Sequence, residues 1–332
     1  MIKIISDLIN GQREKAMSSI PNTMQAIVMQ KFGAAEVLEY QEIPVPVIKA
    51  DEILVQVCNA GVSPFDVHMR EGWYKNSSNY LLPIVLGWEL SGIVVAVGSD
   101  ISQFKEGDAV FAHPSVYRNG GAYAQYAAVK ASEAVHKPII VSHQQAAASV
   151  MNTLTAWQVL FDVAQLTAGQ KILIHAAAGG VGHLAVQLAK WKGAYVIGTA
   201  SAKNKEFLLT LGADEVIDYA TVEFERAVKN IDVVFDTIGG ETLLKSFSIL
   251  KPNGIVVSIV DFEHIKKAAG YGVRGENVIV SPNVQQLLAI ANLMAEEKLK
   301  AHIETVFSLQ EAARAHKLVQ AGHTRGKILL EI

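Results

Sequence analysis

The chain holds a single cysteine, Cys58, among 332 residues. That excludes an intrachain disulfide framework and a thiolate-rich zinc site, and it suits a reducing compartment. No apolar run approaches the roughly 18 residues of a membrane span. An excess of either charge is also missing: 29 basic residues face 32 acidic ones, for a net charge of −3. Such a balance argues against a nucleic-acid or polyanion surface. Residues Met1–Thr23 lack a signal-peptide layout, because Asp7 interrupts their apolar start and Arg13-Glu14-Lys15 is mixed in sign. They read as an extension without legible chemistry, and the cytoplasm is the default address. No internal repeat or low-complexity tract is present. What the chain has is hydrophobic content, 50% of residues against 18% charged, enough at this length for about two ordinary cores.

The pattern changes once along the chain. From Met24 to about His136, short β-type runs such as Gln25–Met29, Glu52–Val57, Ser91–Val97 and Asp108–Phe111 are broken by Pro44, Pro46, Pro64, Pro83, Gly98 and Gly107. This predicts an irregular antiparallel barrel. Gln144–Leu166 is Ala-rich and helical in period, and strands and helices then alternate. Strands are expected at Lys171–His175, Tyr195–Ala200, Glu215–Asp218, Asp232–Phe235 and Gly254–Val260. Helices are expected at Asn204–Leu211, Val222–Lys229 and Thr242–Leu250. Alternation with buried apolar strands means a doubly wound parallel sheet. A long helix over Val284–Lys298, a further one over Leu309–Gln320 and a closing strand Lys327–Glu331 complete the chain.

The most informative stretch joins the strand Ile172-Leu173-Ile174-His175 to Ala178-Gly179-Gly180-Val181-Gly182 and a helix beginning there. Small residues let backbone approach a pyrophosphate, and the helix N-terminus offers unpaired N–H groups. The first glycine of the usual GxGxxG fingerprint is replaced by Ala177. An NAD site places an acid about 20 residues after the glycines for the ribose 2′-hydroxyl. None occurs between Gly182 and Glu206; instead Ser201, Lys203 and Lys205 follow the second strand. Ser201 can donate to a 2′-phosphate and either lysine can offset its charge, which favours NADPH. Each lysine equally fits a solvated helix start. Thr237, after the fourth strand, and Ser258, ending the fifth, lie at the sheet edge where ligands bind, although both also suit turn chemistry.

Several further pieces in fixed order carry a family resemblance. They are Ala60-Gly61-Val62-Ser63-Pro64-Phe65-Asp66, Leu86-Gly87-Trp88-Glu89-Leu90-Ser91-Gly92, Gly120-Gly121-Ala122-Tyr123-Ala124-Gln125-Tyr126, Leu211-Gly212-Ala213-Asp214, Phe235-Asp236-Thr237-Ile238-Gly239-Gly240 and Thr324-Arg325-Gly326-Lys327. From about Met24 onward the chain resembles the medium-chain dehydrogenase/reductase superfamily, in its zinc-independent quinone oxidoreductase branch. The resemblance implies a GroES-like catalytic domain over residues 24–147, an NADP-binding Rossmann domain over 148–280, and a segment 281–332 returning to the catalytic domain. It implies that Thr155 lies under the nicotinamide, and that Tyr219 and Arg325 serve the phosphate or adenine end. Thr155 equally suits a back-bonding hydroxyl. It also implies a homodimer that continues the nucleotide-domain sheet through an Asn277–Val280 strand.

Zinc-using relatives place ligands where this chain has Ser63, Trp88 and Met151. Zinc needs about three N, S or O protein ligands plus an open position, so no metal is expected. The reaction expected is hydride transfer from NADPH to a quinone or an α,β-unsaturated carbonyl, with donors stabilising the charge that develops on the acceptor's oxygen. Candidate donors are Ser63, His68 and Tyr74. Tyr74 matches a family tyrosine, whereas Ser63 and His68 depart from the branch's usual Asn and Tyr. His68 is chemically suited to proton delivery, although a lone histidine is more often structural. Two other readings stay open: a zinc-type alcohol dehydrogenase relative, and a non-enzymatic NADPH-binding sensor or structural protein.

Overall fold

The structure is a computed structural model that describes residues 20–116 and 120–332. Most of the N-terminal extension and part of the short link from His113 to Gly120 therefore lie outside the described residues. Six parallel strands form one sheet in the order Glu215–Asp218, Tyr195–Ala200, Lys171–Ile174, Ile231–Asp236, Leu250–Ser258 and Arg274–Asn277. Ile172, Leu173, Ile174, Val233, Val234 and Phe235 are all buried, as strands covered on both faces must be. The winding reverses between Lys171–Ile174 and Ile231–Asp236. This switch point opens a crevice at the carboxyl ends of the strands, the usual ligand position in such a sheet.

A second sheet of seven strands is built around the long strand Glu52–Val62, which pairs antiparallel with Leu90–Val97, Tyr126–Lys130 and Lys327–Glu331. The last strand of the chain thus lies beside one of the first, with Ile303–Ser308 parallel to it on the outside. A three-stranded sheet (Leu38–Pro44, Thr23–Met29, Ile84–Val85) packs alongside, joined by a bridge between Ala26 and Ala124. The architecture is the expected α/β pairing of a Rossmann doubly wound sheet with a GroES-like irregular barrel.

Three expected elements differ. The helix foreseen over Gln144–Leu166 is α-helical only from His143 to Trp157, then widens into a π-helical turn at Gln158–Val163. The buried Gln158 amide explains the change, since it donates to the Ser281 carbonyl and accepts from the Ser281 N–H. Val222–Lys229 shortens to one turn, Phe224–Ala227. The Asn277–Val280 strand is displaced: the outer strand is Arg274–Asn277. It stops because the Asn277 side chain donates to the carbonyls of Ser258 and Asp261, and Val278 and Val280 turn inward to burial.

The glycine loop is a packing requirement as well as a ligand motif. A Cβ on Gly182 would lie 2.5 Å from the Ala176 carbonyl oxygen and 2.7 Å from Ala177 Cα, both backbone atoms that cannot move cheaply. Where the usual first glycine is replaced, Gly198 on the neighbouring strand makes room: a Cβ there would meet the Ala177 methyl at 2.8 Å. Gly182→Ala is therefore expected to lower stability by about 1–3 kcal/mol, through overpacking of the strand–helix joint. Urea unfolding followed by circular dichroism measures this, and an unchanged midpoint would contradict the fit.

Candidate active site

The C-terminal segment ties the two halves together around the glycine loop. Gly326 donates its N–H to the Ala178 carbonyl at 2.8 Å, and the His302 N–H donates to His183 Nε2 at 3.0 Å. His183 in turn donates from Nδ1 to the Gly179 carbonyl at 2.8 Å, which fixes it as a neutral imidazole. Burial holds its pKa down at about 4. Gly326 occupies the left-handed region at φ +66°, and a Cβ there would lie 2.2 Å from the His302 carbonyl oxygen. Only glycine fits a backbone crossing this tight.

Arg325 and Lys327, on either side of Gly326, reach in different directions. Arg325 Nε donates to Asn204 Oδ1 at 2.7 Å, its Nη2 donates to the Lys203 carbonyl at 3.2 Å, and its guanidinium lies 5.2 Å from the Phe207 ring centre. Asn204 also donates to Ser201 Oγ at 3.2 Å. The structure thus brings Arg325 to the turn that carries Ser201 and Lys203, with Lys205 next to Asn204 in sequence, and both lysines are exposed. Tyr219 stands nearby at the sheet edge. It lines a cavity of about 470 Å³ with His175, Ala176, Thr199, Ala220 and Ile238.

Lys327 points into the other half, where it forms an ion pair with Glu89. These side chains are only 2% and 1% exposed. Glu89 also accepts the Met151 N–H at 3.3 Å, and Thr155 Oγ1 donates to the Met151 carbonyl at 2.8 Å. Thr155 accordingly adopts the back-bonding role that its sequence left open, keeping only lone pairs for another partner. Burial pushes the Glu89 carboxyl up, and the Lys327 charge opposes that shift. Gly61 is what admits Glu89, because a Cβ at position 61 would sit 2.3 Å from Glu89 Oε1.

The expected donors fall into distinct surroundings. Ser63 caps the helix Pro64–Glu71 in a reciprocal capping box with Asp66: Ser63 Oγ donates to Asp66 Oδ2 at 2.5 Å, and the Ser63 N–H donates to the same oxygen at 2.8 Å. His68 stacks flat on Trp73 at 3.8 Å, and burial lowers its pKa, so it is neutral near pH 7. Tyr74 packs against Phe65 at 5.3 Å, and burial raises its pKa, which keeps its hydroxyl a donor. Phe65 meets Trp88 edge-on at 4.8 Å, and Tyr80 does so at 6.3 Å. Trp88 is buried to 1%, forming the floor of an aromatic box. Thr237 and Ser258 are committed to the scaffold: Thr237 donates to the His175 carbonyl, and Ser258 donates to Asp236.

Sequence reasoning did not pick out Asp66, Tyr123, His316 or Lys327 as functional. Asp66 is fully buried and accepts the Gly87 N–H at 3.2 Å; burial, with the Asp66 and Glu89 charges, keeps the Tyr123 hydroxyl protonated. Tyr123 in turn lies 3.3 Å from His316 Nε2. Among the described residues no group of three His, Cys, Asp or Glu side chains converges on one point. No described helix is long and apolar enough to cross a membrane.

A doubly wound parallel sheet with a glycine-rich loop at its switch point, tied to an irregular barrel by the C-terminal segment, defines a dehydrogenase/reductase architecture. The description "alcohol dehydrogenase GroES-like domain" matches residues 49–139, and "zinc-binding dehydrogenase" matches residues 211–330. A quinone oxidoreductase structure from Coxiella burnetii superposes with a TM-score of 0.89 at 35% identity, covering 93% of this chain and 99% of that one. The chloroplast envelope quinone oxidoreductase homolog of Arabidopsis thaliana is 34% identical over 93% of this chain and 98% of its own length. The NADPH-dependent alkenal/one oxidoreductase of the same plant is 32% identical over 95% of this chain and 81% of its own. The chain belongs to the medium-chain dehydrogenase/reductase superfamily, in its quinone oxidoreductase branch.

Two predictions follow from the buried charges. Removing one partner leaves the other charge uncompensated, so Lys327→Met should cost about 3–5 kcal/mol, and adding Glu89→Gln should restore part of it. A double-mutant cycle in urea tests this coupling. Burial also holds His113, His175 and His183 at about 4 and His316 at about 3. Their stabilisation is complete above the ordinary histidine pKa and is lost as pH falls toward 4, because only the unfolded chain then takes up those protons. Asp66, raised to about 6, acts in the opposite sense, as do the raised carboxyls of Glu89 and Asp236, but the four histidines outweigh them. Net stability should therefore drop between pH 6.5 and pH 4, by on the order of 3 kcal/mol or more; a flat urea midpoint over that range would refute the assignment.

Proposed function

We propose that this protein is an NADPH-dependent reductase that passes hydride to a quinone or an α,β-unsaturated carbonyl without a catalytic metal. The observation that carries the cofactor reading is the convergence of Arg325 on the acid-free Ser201–Lys205 turn. A guanidinium and two exposed ammonium groups suit a 2′-phosphate, whereas an NAD site would set a carboxylate there. The glycine cradle fits a pyrophosphate, since Gly180 has no room for a Cβ: one would lie 2.7 Å from Asn152 Nδ2. Ala178, Gly179, Gly180, Val181 and Gly182 would carry the pyrophosphate on their backbone, with Tyr219 beside the adenosine end. Thr155 would accept from the nicotinamide carboxamide. Thr237 and Ser258 would hold the crevice's shape rather than touch the cofactor.

Bound nicotinamide supplies the hydride; the chain supplies orientation and charge stabilisation. The aromatic box of Phe65, Tyr74, Tyr80 and Trp88 suits a flat conjugated acceptor. Tyr74, with its hydroxyl kept protonated, is the strongest donor toward the acceptor's oxygen. His68, neutral and stacked on Trp73, belongs to the rim. The metal-free reading is supported by donor chemistry: the Ser63 hydroxyl, the Trp88 indole and the Met151 thioether do not replace the histidine and thiolate ligands that zinc takes. The likeness to quinone and alkenal reductases points to the same acceptors.

Acceptor-dependent oxidation of NADPH by the purified protein, measured with a panel of benzoquinones and enones, tests the reaction. Robust turnover is expected without added metal. A requirement for zinc, or no oxidation with any acceptor, would overturn the proposal. Arg325→Ala should weaken NADPH binding about tenfold or more, the worth of one charge-assisted contact, and leave NADH binding nearly unchanged. Fluorescence titration with both nucleotides reads the difference, and equal losses would reject the phosphate role.

A further inference from the structure

Behind Ser63 lies a buried group of charges for which the capping box alone does not account. Asp66, Glu89 and Lys327 are 1%, 1% and 2% exposed, and they interact electrostatically with one another. Lys327 is paired with Glu89, and its charge also favours the ionised form of Asp66, so one cation faces two buried carboxylates. Asp66 is the second of these carboxylates and has no counter-ion of its own, because the single ammonium is paired with Glu89. Its other neighbours bring no cation to it. Tyr123 is a neutral hydroxyl, and the histidine beyond it, His316, is held neutral by burial and by the nearby Arg70 charge. Arg70, on the same helix as Asp66, is engaged by the Gly33 carbonyl, Gln320 and Glu71. A buried carboxylate without a counter-ion lowers its energy by taking up a proton, and burial accordingly raises the Asp66 carboxyl to about 6.

The geometry shows where that proton can go. Asp66 Oδ2 lies 2.5 Å from Ser63 Oγ, and a hydroxyl can either donate or accept along this line. With Asp66 ionised, the Ser63 proton points inward to the carboxylate. With Asp66 protonated, the carboxyl donates to Ser63 Oγ, and the Ser63 proton is released to point elsewhere. Ser63 stands at the exit of the strand Glu52–Val62, whose Val62 is in register with Ile328. Ile328 adjoins Lys327 and Gly326, and Gly326 holds the glycine loop. Ser63, itself 2% exposed, thus lies between the strand that reaches the glycine loop and the helix that carries Phe65 of the aromatic box.

We propose that Asp66 stores the proton this reductase delivers, passing it through the Ser63 hydroxyl to the oxygen of the reduced acceptor. The inference rests on the reductase reading above. Two electrons and a hydrogen nucleus reach the acceptor as hydride, oxidising NADPH to NADP⁺ and leaving negative charge on the acceptor's oxygen. The Ser63 O–H bond breaks as the new O–H bond forms on product. The Asp66 O–H bond breaks as the Ser63 O–H bond is restored. Asp66 is left ionised beside the neutral Glu89–Lys327 pair and regains a proton from solvent before the next turnover. Ser63 touches the reacting oxygen; Asp66 acts through it.

Infrared spectroscopy of the free protein tests the store without any acceptor. A carbonyl-stretch band of a buried protonated carboxyl should appear as pH is lowered through about 6 and be missing from Asp66→Asn. The same band in Asp66→Asn, or none in the wild type at pH 5, would overturn the proposal. Delivery is read from single-turnover rates, which should fall about tenfold per pH unit above the Asp66 titration, as expected for a required acid. Asp66→Asn should abolish that limb. Should that variant fail to fold, Ser63→Ala is the second probe: about a tenfold or greater loss of rate with NADPH affinity retained, largely recovered by Ser63→Thr. Ser63→Ala with wild-type rates and an intact pH limb would overturn delivery. If the wild type reduces no acceptor at all, the reductase reading falls with the delivery step, while the infrared titration still decides whether Asp66 holds the proton.

Discussion

The buried pair of Glu89 and Lys327 is the interaction on which the rest of this structure depends. Taking two charges out of water costs several kcal/mol per ion unless each finds its partner and further hydrogen bonds. Here the partners come from opposite ends of the chain, so the pair forms only when the last strand has docked beside Glu52–Val62. That docking also brings Gly326 against the glycine loop and Arg325 to the Ser201–Lys205 turn. One electrostatic requirement thereby fixes the closure of the catalytic half and the position of the nucleotide loop together. The absence of a side chain at Gly61, which clears space for Glu89, is part of the same constraint.

The fold was legible because its signals are local. Apolar strands buried on both faces read as continuous hydrophobic runs, and the change from β punctuation to β/α alternation marks the passage from barrel to sheet. The strands Tyr195–Ala200, Glu215–Asp218 and Lys327–Glu331 fall where periodicity places them. Errors arose where one side chain outweighed the pattern. Gln158 widens a helix into a π-turn because its amide is claimed by Ser281. At Asn277 the strand ends where its side chain adds donors to the Ser258 and Asp261 carbonyls and Val278 and Val280 turn into the core.

The glycine loop and the acid-free turn were similarly readable as local features, since both lie within one βαβ unit. Even so, the substitution of Ala177 for the first glycine could not be judged from the loop itself. The compensating space lies at Gly198 in the adjacent strand. The catalytic end was much less legible. Asp66, Tyr123 and His316 come from separate parts of the chain, and nothing in their immediate neighbours marks them as a connected series. Ser63 reads as a vacated ligand position in sequence, while its hydroxyl is engaged with Asp66 in space. Hydroxyls such as Thr155, Thr237 and Ser258 donate within the protein, to the Met151 carbonyl, the His175 carbonyl and Asp236, so the ligand contact that motif position suggests would use their lone pairs.

The tripeptide Arg325-Gly326-Lys327 has an evolutionary consequence. Its central residue turns the backbone at φ +66°, so its two cations serve different halves of the molecule. Selection can therefore act on them separately. A lineage is free to exchange Arg325, which reaches Asn204 and the Lys203 carbonyl, while Lys327 continues to balance Glu89. Inserting or deleting one residue within the tripeptide would lose both at once. The segment tolerates changes of side chain at its first position far better than changes of length.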